Sequence, residues 1–287
     1  MVIDFRVRPP LKSFKDHIIY ASHTEEAVKA DQRNFAVLRR NRGESRSARE
    51  HSVELFTQEM DAAGITHGVI MGRDAGPAYG TSSNEEIAEF CANSKGRYIG
   101  MAGVNGTNLR DAKQTIRDAR KMGFVGVAFD NGWVGLHQDH PNLMGLYEAA
   151  AADNLILALT ASQLMGPDSS YSHPDRLKPI AKAFPNTPLV VTHAAWPWTA
   201  HVCSLAYECP NVYMLPDCYL NTGAPGTDEY VLSANRFMSD RLLYGSAYPV
   251  RPLGTSLEYF RKLPLTTEAM EGALWKNAQR LLGWPKA

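Results

Sequence analysis

The chain has 287 residues, and its 30 basic and 30 acidic side chains balance to zero net charge. That length suits one large α/β barrel or two modest domains, and 44% apolar with 21% charged residues is ordinary for a globular protein. The neutral balance excludes a global basic field for nucleic acid or an anionic membrane, and no apolar run approaches the length of a membrane span.

The first predicted strand lies in "VIDFRVRPP", where Asp4, Arg6 and Arg8 alternate with Phe5 and Val7. A strict period of two sets the three charges on one face, and Pro9 and Pro10 end the strand. Two arginines this early leave no apolar core for a signal peptide, so a cytoplasmic location is expected. Cys91, Cys203, Cys209 and Cys218 form no C-x-x-C pair, which suggests neither a zinc knuckle nor a redox motif but reduced thiols.

Residues 9–46 read as a long insertion after the first strand. They have no clean period and run into the arginine-rich stretch Arg39–Arg49. The segment suits a solvated, partly helical excursion, or a lid or subunit contact over the strand's end. "SARE" then offers a capping box, with Ser47 as N-cap and Glu50 three residues on. It opens a helix whose Val53, Phe56 and Met60 share a face.

From there strands and helices alternate. The strands are "THGVIMG" (66–72), "RYIGMAGV" (97–104), "FVGVAF" (124–129), "LILALT" (155–160), "PLVVTH" (188–193), "NVYMLP" (211–216) and "RLLYGS" (241–246). Each precedes a helical stretch, from "SNEEIAEFCANS" to "TSLEYFRKL". After the opening strand the runs are continuously apolar, as parallel strands covered on both faces require. Eight strand–helix units without a dividing linker predict a single (β/α)8 TIM-barrel domain over 1–287. A doubly wound sheet lacks support, because no glycine-rich dinucleotide turn follows the first strand.

Five stretches in order resemble the amidohydrolase superfamily, in its amidohydrolase-related branch of decarboxylases and lactonases. They are "GFVGVAF…HPNLMGLYEAAAADNLILAL", "VVTHAAW", "DRLLYGSAYPV" and "EAMEGALWKNAQRLLGW", the first spanning two units. The resemblance implies metal-binding histidines in a first strand reading Asp-x-His-x-His, a histidine ending the fifth strand, and an aspartate in the eighth. Here those places hold Arg6, Arg8, Thr160 and Ala247, and only the sixth-strand His193 survives. A divalent ion needs three or four imidazoles, carboxylates or thiolates, and arginine stays protonated. No metal and no other cofactor is therefore expected. The resemblance also implies that this need not mean inactivity, since some lactonases and isomerases of the superfamily work without a metal.

Two tasks of the missing metal, polarising a carbonyl and supplying a base, then fall to side chains at the strand ends. Arg6 and Arg8 suit carboxylate or oxyanion binding, and Arg73 adds a third cation. His193 has the intrinsic pKa of a general base, with Asp4, Asp130 and Tyr248 as further catalytic candidates. Thr160, Ser162, Trp196, Asp217 and Ser246 complete the substrate-binding set. Arg6 can pair structurally with Asp4 or another acid, Arg73 can be a surface loop cation, and Asp130 and Asp217 can cap turns. Trp196 and Trp198 can simply pack against the next helix, and the His137/His140 spacing is weak evidence for a metal clip.

The expected ligand is a small molecule bearing one or more carboxylates; neither nucleic acid nor membrane is expected as a partner, and a homo-oligomer is allowed. The leading function is a metal-independent hydrolase opening a lactone or similar ester of a small carboxylate. The alternatives are an isomerase or lyase on a related lactone or keto acid, a metal-dependent decarboxylase of aromatic acids, and a non-catalytic metabolite-binding barrel.

Overall fold

A computed structural model describes residues 1–15, 17–21, 45–163 and 165–285. Most of the predicted 9–46 insertion, including Arg39 to Gly43, lies outside the described residues. Seven parallel strands pair in chain order: β1 (Ile3–Val7), β2 (His67–Met71), β3 (Tyr98–Val104), β4 (Gly126–Phe129), β5 (Ile156–Ser162), β6 (Leu189–Trp196) and β7 (Val212–Leu215). Residues 241–248 close the barrel. They make only isolated bridges, Leu242 to Met214 and Tyr248 to Val7, so the expected eighth strand is an extended segment without a regular ladder. Backbone bonds still stitch it on both sides, from Leu243 N–H to Met214 C=O and from Phe5 N–H to Tyr244 C=O, each 2.9 Å.

Each crossover carries a helix, as parallel pairing demands. Their ends follow local chemistry. Ser52, Ser83 and Asn108 accept the amides of Leu55, Glu86 and Asp111 as N-caps, and Gly64 ends the helix Val53–Ala63 at φ +74°. The expected capping box at Ser47 is not formed. Ser45 precedes the short helix Arg46–Glu50, and the Ser47 amide and hydroxyl are instead bound by the Glu59 carboxylate at 2.8 and 2.6 Å.

Two apolar layers result. Ile3, Phe5, Val69, Met71, Met101, Ala158, Val190 and Leu215 fill the barrel interior, while Val7, Ile70, Leu157, Leu159 and Val191 pack outward under the helices. Phe5 and Val7 thus belong to opposite layers although two residues apart. The cause is a register shift: Asp4 to Val7 is three steps on β1 but only two, Gly68 to Ile70, on β2. The strict alternation expected of the first strand therefore fails, and its phase changes before the C-terminal end.

Candidate functional site

The phase change decides which charges reach the barrel mouth. Arg6 and Arg8 follow the irregularity and turn inward. Asp4 precedes it and lies on the outer side, where its Oδ1 accepts the amides of Arg6 (3.0 Å) and Ser246 (2.9 Å). Ser246 Oγ in turn accepts the Tyr248 amide. The Tyr248 ring packs on Phe56 at 4.9 Å, and its hydroxyl lies 2.6 Å from Ser47 Oγ. The structure thus gives Asp4, Ser246 and Tyr248, three of the predicted site residues, structural places in the seam between β1 and the closing segment.

The mouth itself is built from the ends of β1, β2, β4, β5, β6 and β7. Arg6 Nη1 donates to Asp217 Oδ2 at 2.7 Å and lies 2.9 Å from His193 Nε2. His193 Nδ1 is 2.8 Å from Asp217 Oδ1. With Nδ1–H assigned as the donor to Asp217, Nε2 is the ring nitrogen left as an acceptor, and Arg6 Nη1 lies across the imidazole, 3.1 Å from Nδ1 as well as 2.9 Å from Nε2. Arg6 therefore pairs with Asp217, not with the neighbouring Asp4. Arg73 Nε faces Asp130 Oδ2 at 3.1 Å, its Nη1 lies 3.2 Å from His17 Nε2, and its guanidinium sits 5.8 Å from the Trp133 ring centroid. Arg8 Nε donates to the Met71 carbonyl at 2.9 Å, and its Nη2 is buried without a hydrogen-bond partner. Thr160 and Ser162 are buried at the end of β5; Thr160 Oγ1 accepts from Thr192. Trp196 stacks on Tyr219, with centroids 4.6 Å apart and planes 12° from parallel.

Burial and charge set the protonation states. Burial, then the Arg6 charge, lower the His193 pKa against the pull of Asp217, so the imidazole is neutral at pH 7. Burial would raise both buried aspartates. His193 and Arg6 nonetheless hold Asp217 well below the carboxylate range, and Arg73, Arg8 and Arg6 bring Asp130 to about 2. His17 falls to about 2 through burial and the Arg73 and Arg8 charges, which makes it a neutral acceptor for Arg73. Burial, then Arg6 and Arg73, push the Arg8 pKa down, but a guanidinium starts high enough to keep its proton. Backbone strain gathers here as well. Five of the eight non-glycine residues with positive φ among the described residues are His193, Ala194, Ala195, Asp217 and Ala247. Such conformations cost about 1–3 kcal/mol each and persist where surrounding structure enforces them.

Sequence reasoning missed several members of this site. His17 lies in the aperiodic segment and gave no signal. Cys218 and Tyr219 follow Asp217 directly, so position relative to β7 was the available cue. Cys218 Sγ is 3.7 Å from His193 Nδ1, and burial pushes its thiol pKa well up. His137 stacks on Tyr171 at 4.1 Å and His140 N-caps the helix Pro141–Ala152, so the two do not form a metal clip.

Donor atoms of His193, Asp217 and Cys218 lie within 4.8 Å of one another, which is metal-ligand spacing. Arg6 Nη1, however, already sits between Asp217 and His193, and Thr160 and Ala247 offer neither imidazole nor carboxylate. The donor set does not fit a divalent cation.

The family profile described as Amidohydrolase matches residues 30–284. A search of curated proteins finds no match to the chain. Among solved structures, an uncharacterised TIM-barrel protein of Bordetella bronchiseptica is 31% identical, with 98% of each chain covered and a TM-score of 0.90. A 2,6-dihydroxybenzoate decarboxylase of Rhizobium is 13% identical, with 98% of each chain covered and a TM-score of 0.68. A dihydroxybenzoic acid decarboxylase of Polaromonas, solved with bound manganese, is 15% identical over 100% of this chain and 97% of its own, with a TM-score of 0.65. At those last two identities the likeness shows the fold alone.

Proposed function

The chain belongs to the amidohydrolase family, and we propose that it is a metal-independent member that opens a lactone or similar ester of a small, planar carboxylate. The observation that carries this reading is Arg8: a guanidinium 2% exposed, with Nη2 unpartnered, between two arginines that already face carboxylates. A buried unpaired cation is costly, and a substrate carboxylate relieves that cost.

The Arg6–His193–Asp217 triangle supplies the chemistry. Asp217 fixes the imidazole tautomer, and the substrate's carbonyl oxygen draws Arg6 away from Nε2. The freed Nε2 takes a proton from water as the hydroxide forms its bond to the carbonyl carbon. Arg6 lies beside the resulting oxyanion. Collapse breaks the ring C–O bond, and the imidazolium returns the proton to the leaving oxygen. The Trp196–Tyr219 stack walls a flat ring.

Decarboxylation is a second reading, favoured by the dihydroxybenzoate decarboxylases among the solved relatives. Arginine contacts to a carboxylate stabilise the ground state and so oppose loss of that same group as carbon dioxide. Assays of the chelator-treated full chain against ring lactones and hydroxybenzoates, reading acid release and carbon dioxide release separately, test both. Lactone turnover that survives chelation supports the first reading. Activity that disappears and returns with manganese or zinc overturns it.

A further inference from the structure

The charges of the mouth can be counted pair by pair. Arg6 faces Asp217 at 2.7 Å, and Arg73 faces Asp130 at 3.1 Å. Arg8 has no carboxylate within ion-pair distance among the described residues, and its Nε is committed to the Met71 carbonyl. Arg251, another buried arginine, has an interaction of its own. The other polar walls are neutral: Thr160, the Trp133 indole, and the imidazoles of His17 and His193.

From this pairing we infer that the site accepts substrates with a single carboxylate on an otherwise neutral ring and discriminates against dicarboxylates of the same size. The inference rests on the reading of Arg8 as the carboxylate seat and adds the charge class. A first carboxylate completes the one open pair. A second finds only guanidiniums already facing Asp130 or Asp217. Taking one of them leaves a buried aspartate uncompensated, and binding without one buries a bare anion.

Calorimetric titration of the full chain with benzoate, benzene-1,3-dicarboxylate and benzamide tests the inference. Benzoate is expected to bind more tightly than the dicarboxylate and the neutral amide by about tenfold or more. Arg8→Gln removes that advantage over benzamide. Asp130→Asn adds one net positive charge and narrows or reverses the gap between benzoate and the dicarboxylate. Should the unaltered chain bind the dicarboxylate as tightly as benzoate, the charge class is wrong while the Arg8 seat stands. Should benzamide equal benzoate, or neither acid bind, the seat fails and the inference with it. The comparison in the unaltered chain decides the matter even where a variant does not fold.

Discussion

Arg6 and Asp217 lie 211 residues apart in the sequence, yet Nη1 and Oδ2 meet at 2.7 Å with both side chains almost fully buried. His193 lies against both, so one permanent cation occupies the ground where the superfamily resemblance places a metal. Asp217→Ala removes the counter-charge and leaves Arg6 buried alone. Breaking a buried pair in this way costs about 3–5 kcal/mol, and urea unfolding of the variant against the parent chain measures it.

Arg6→Gln keeps a donor of similar reach but removes the charge beside the developing oxyanion. Turnover on a lactone substrate is expected to fall by roughly 100-fold or more, with a smaller effect on KM because the proposed carboxylate seat is Arg8. Steady-state kinetics separate the two parameters; a loss confined to KM would reassign Arg6 to ground-state binding.

The base role proposed for His193 requires a neutral imidazole. Its pKa is depressed by burial and by Arg6, so activity is expected to be full at neutral pH and to decline on the acid side, below the ordinary histidine pKa. Asp217 pulls that pKa upward, hence Asp217→Asn moves the acid limb to still lower pH. A pH–rate profile of kcat/KM in both proteins reads the shift, and a limb moving upward would contradict the assignment.

Burial raises the Asp4 pKa to about 7, against the hydrogen bonds from Ser246 and Arg6. The folded state therefore holds a proton that the unfolded chain releases near pH 4. Stability from this group is full below pH 4 and is lost as pH rises through about 7. Asp4→Asn keeps an acceptor for both amides but does not titrate. Relative to the parent, its melting temperature is expected to improve between pH 5 and pH 8, and a parallel pair of curves would refute the shift.

Tyr248→Phe tests the separation of scaffold from mouth. Loss of the hydroxyl removes its hydrogen bond with Ser47, whose own hydroxyl keeps Glu59 as partner, and is expected to cost about 0.5–1.5 kcal/mol in unfolding free energy. Turnover is expected to change less than it does in Arg6→Gln. A larger catalytic than structural effect would return Tyr248 to the reaction.

The barrel was legible because buried parallel strands write continuous apolar runs, such as "LILALT" and "PLVVTH", whose period needs no tertiary information. The mouth was legible where a residue stood at the end of such a run, as with His193, Asp217 and Asp130. The outward placement of Asp4 was not, because a register shift depends on the partner strand and leaves no mark in the strand's own alternation. His17 was invisible for a related reason: its role follows from contact with Arg73, 56 residues away. Residues 241–246, whose apolar run predicts an eighth strand, form only isolated bridges, because how many ladder bonds such a run makes depends on twist around the whole barrel.

The irregularity in β1 leaves the Arg6 amide outside the regular ladder, and the Asp4 carboxylate receives it. A perfectly pleated version of residues 3–8 would send Val7 into the opening and both guanidiniums out among the helices. A side chain behind the strand thereby selects which ones face the opening, and Asp4→Ala is expected to weaken the proposed anion seat from behind while leaving every wall residue in the gene unchanged.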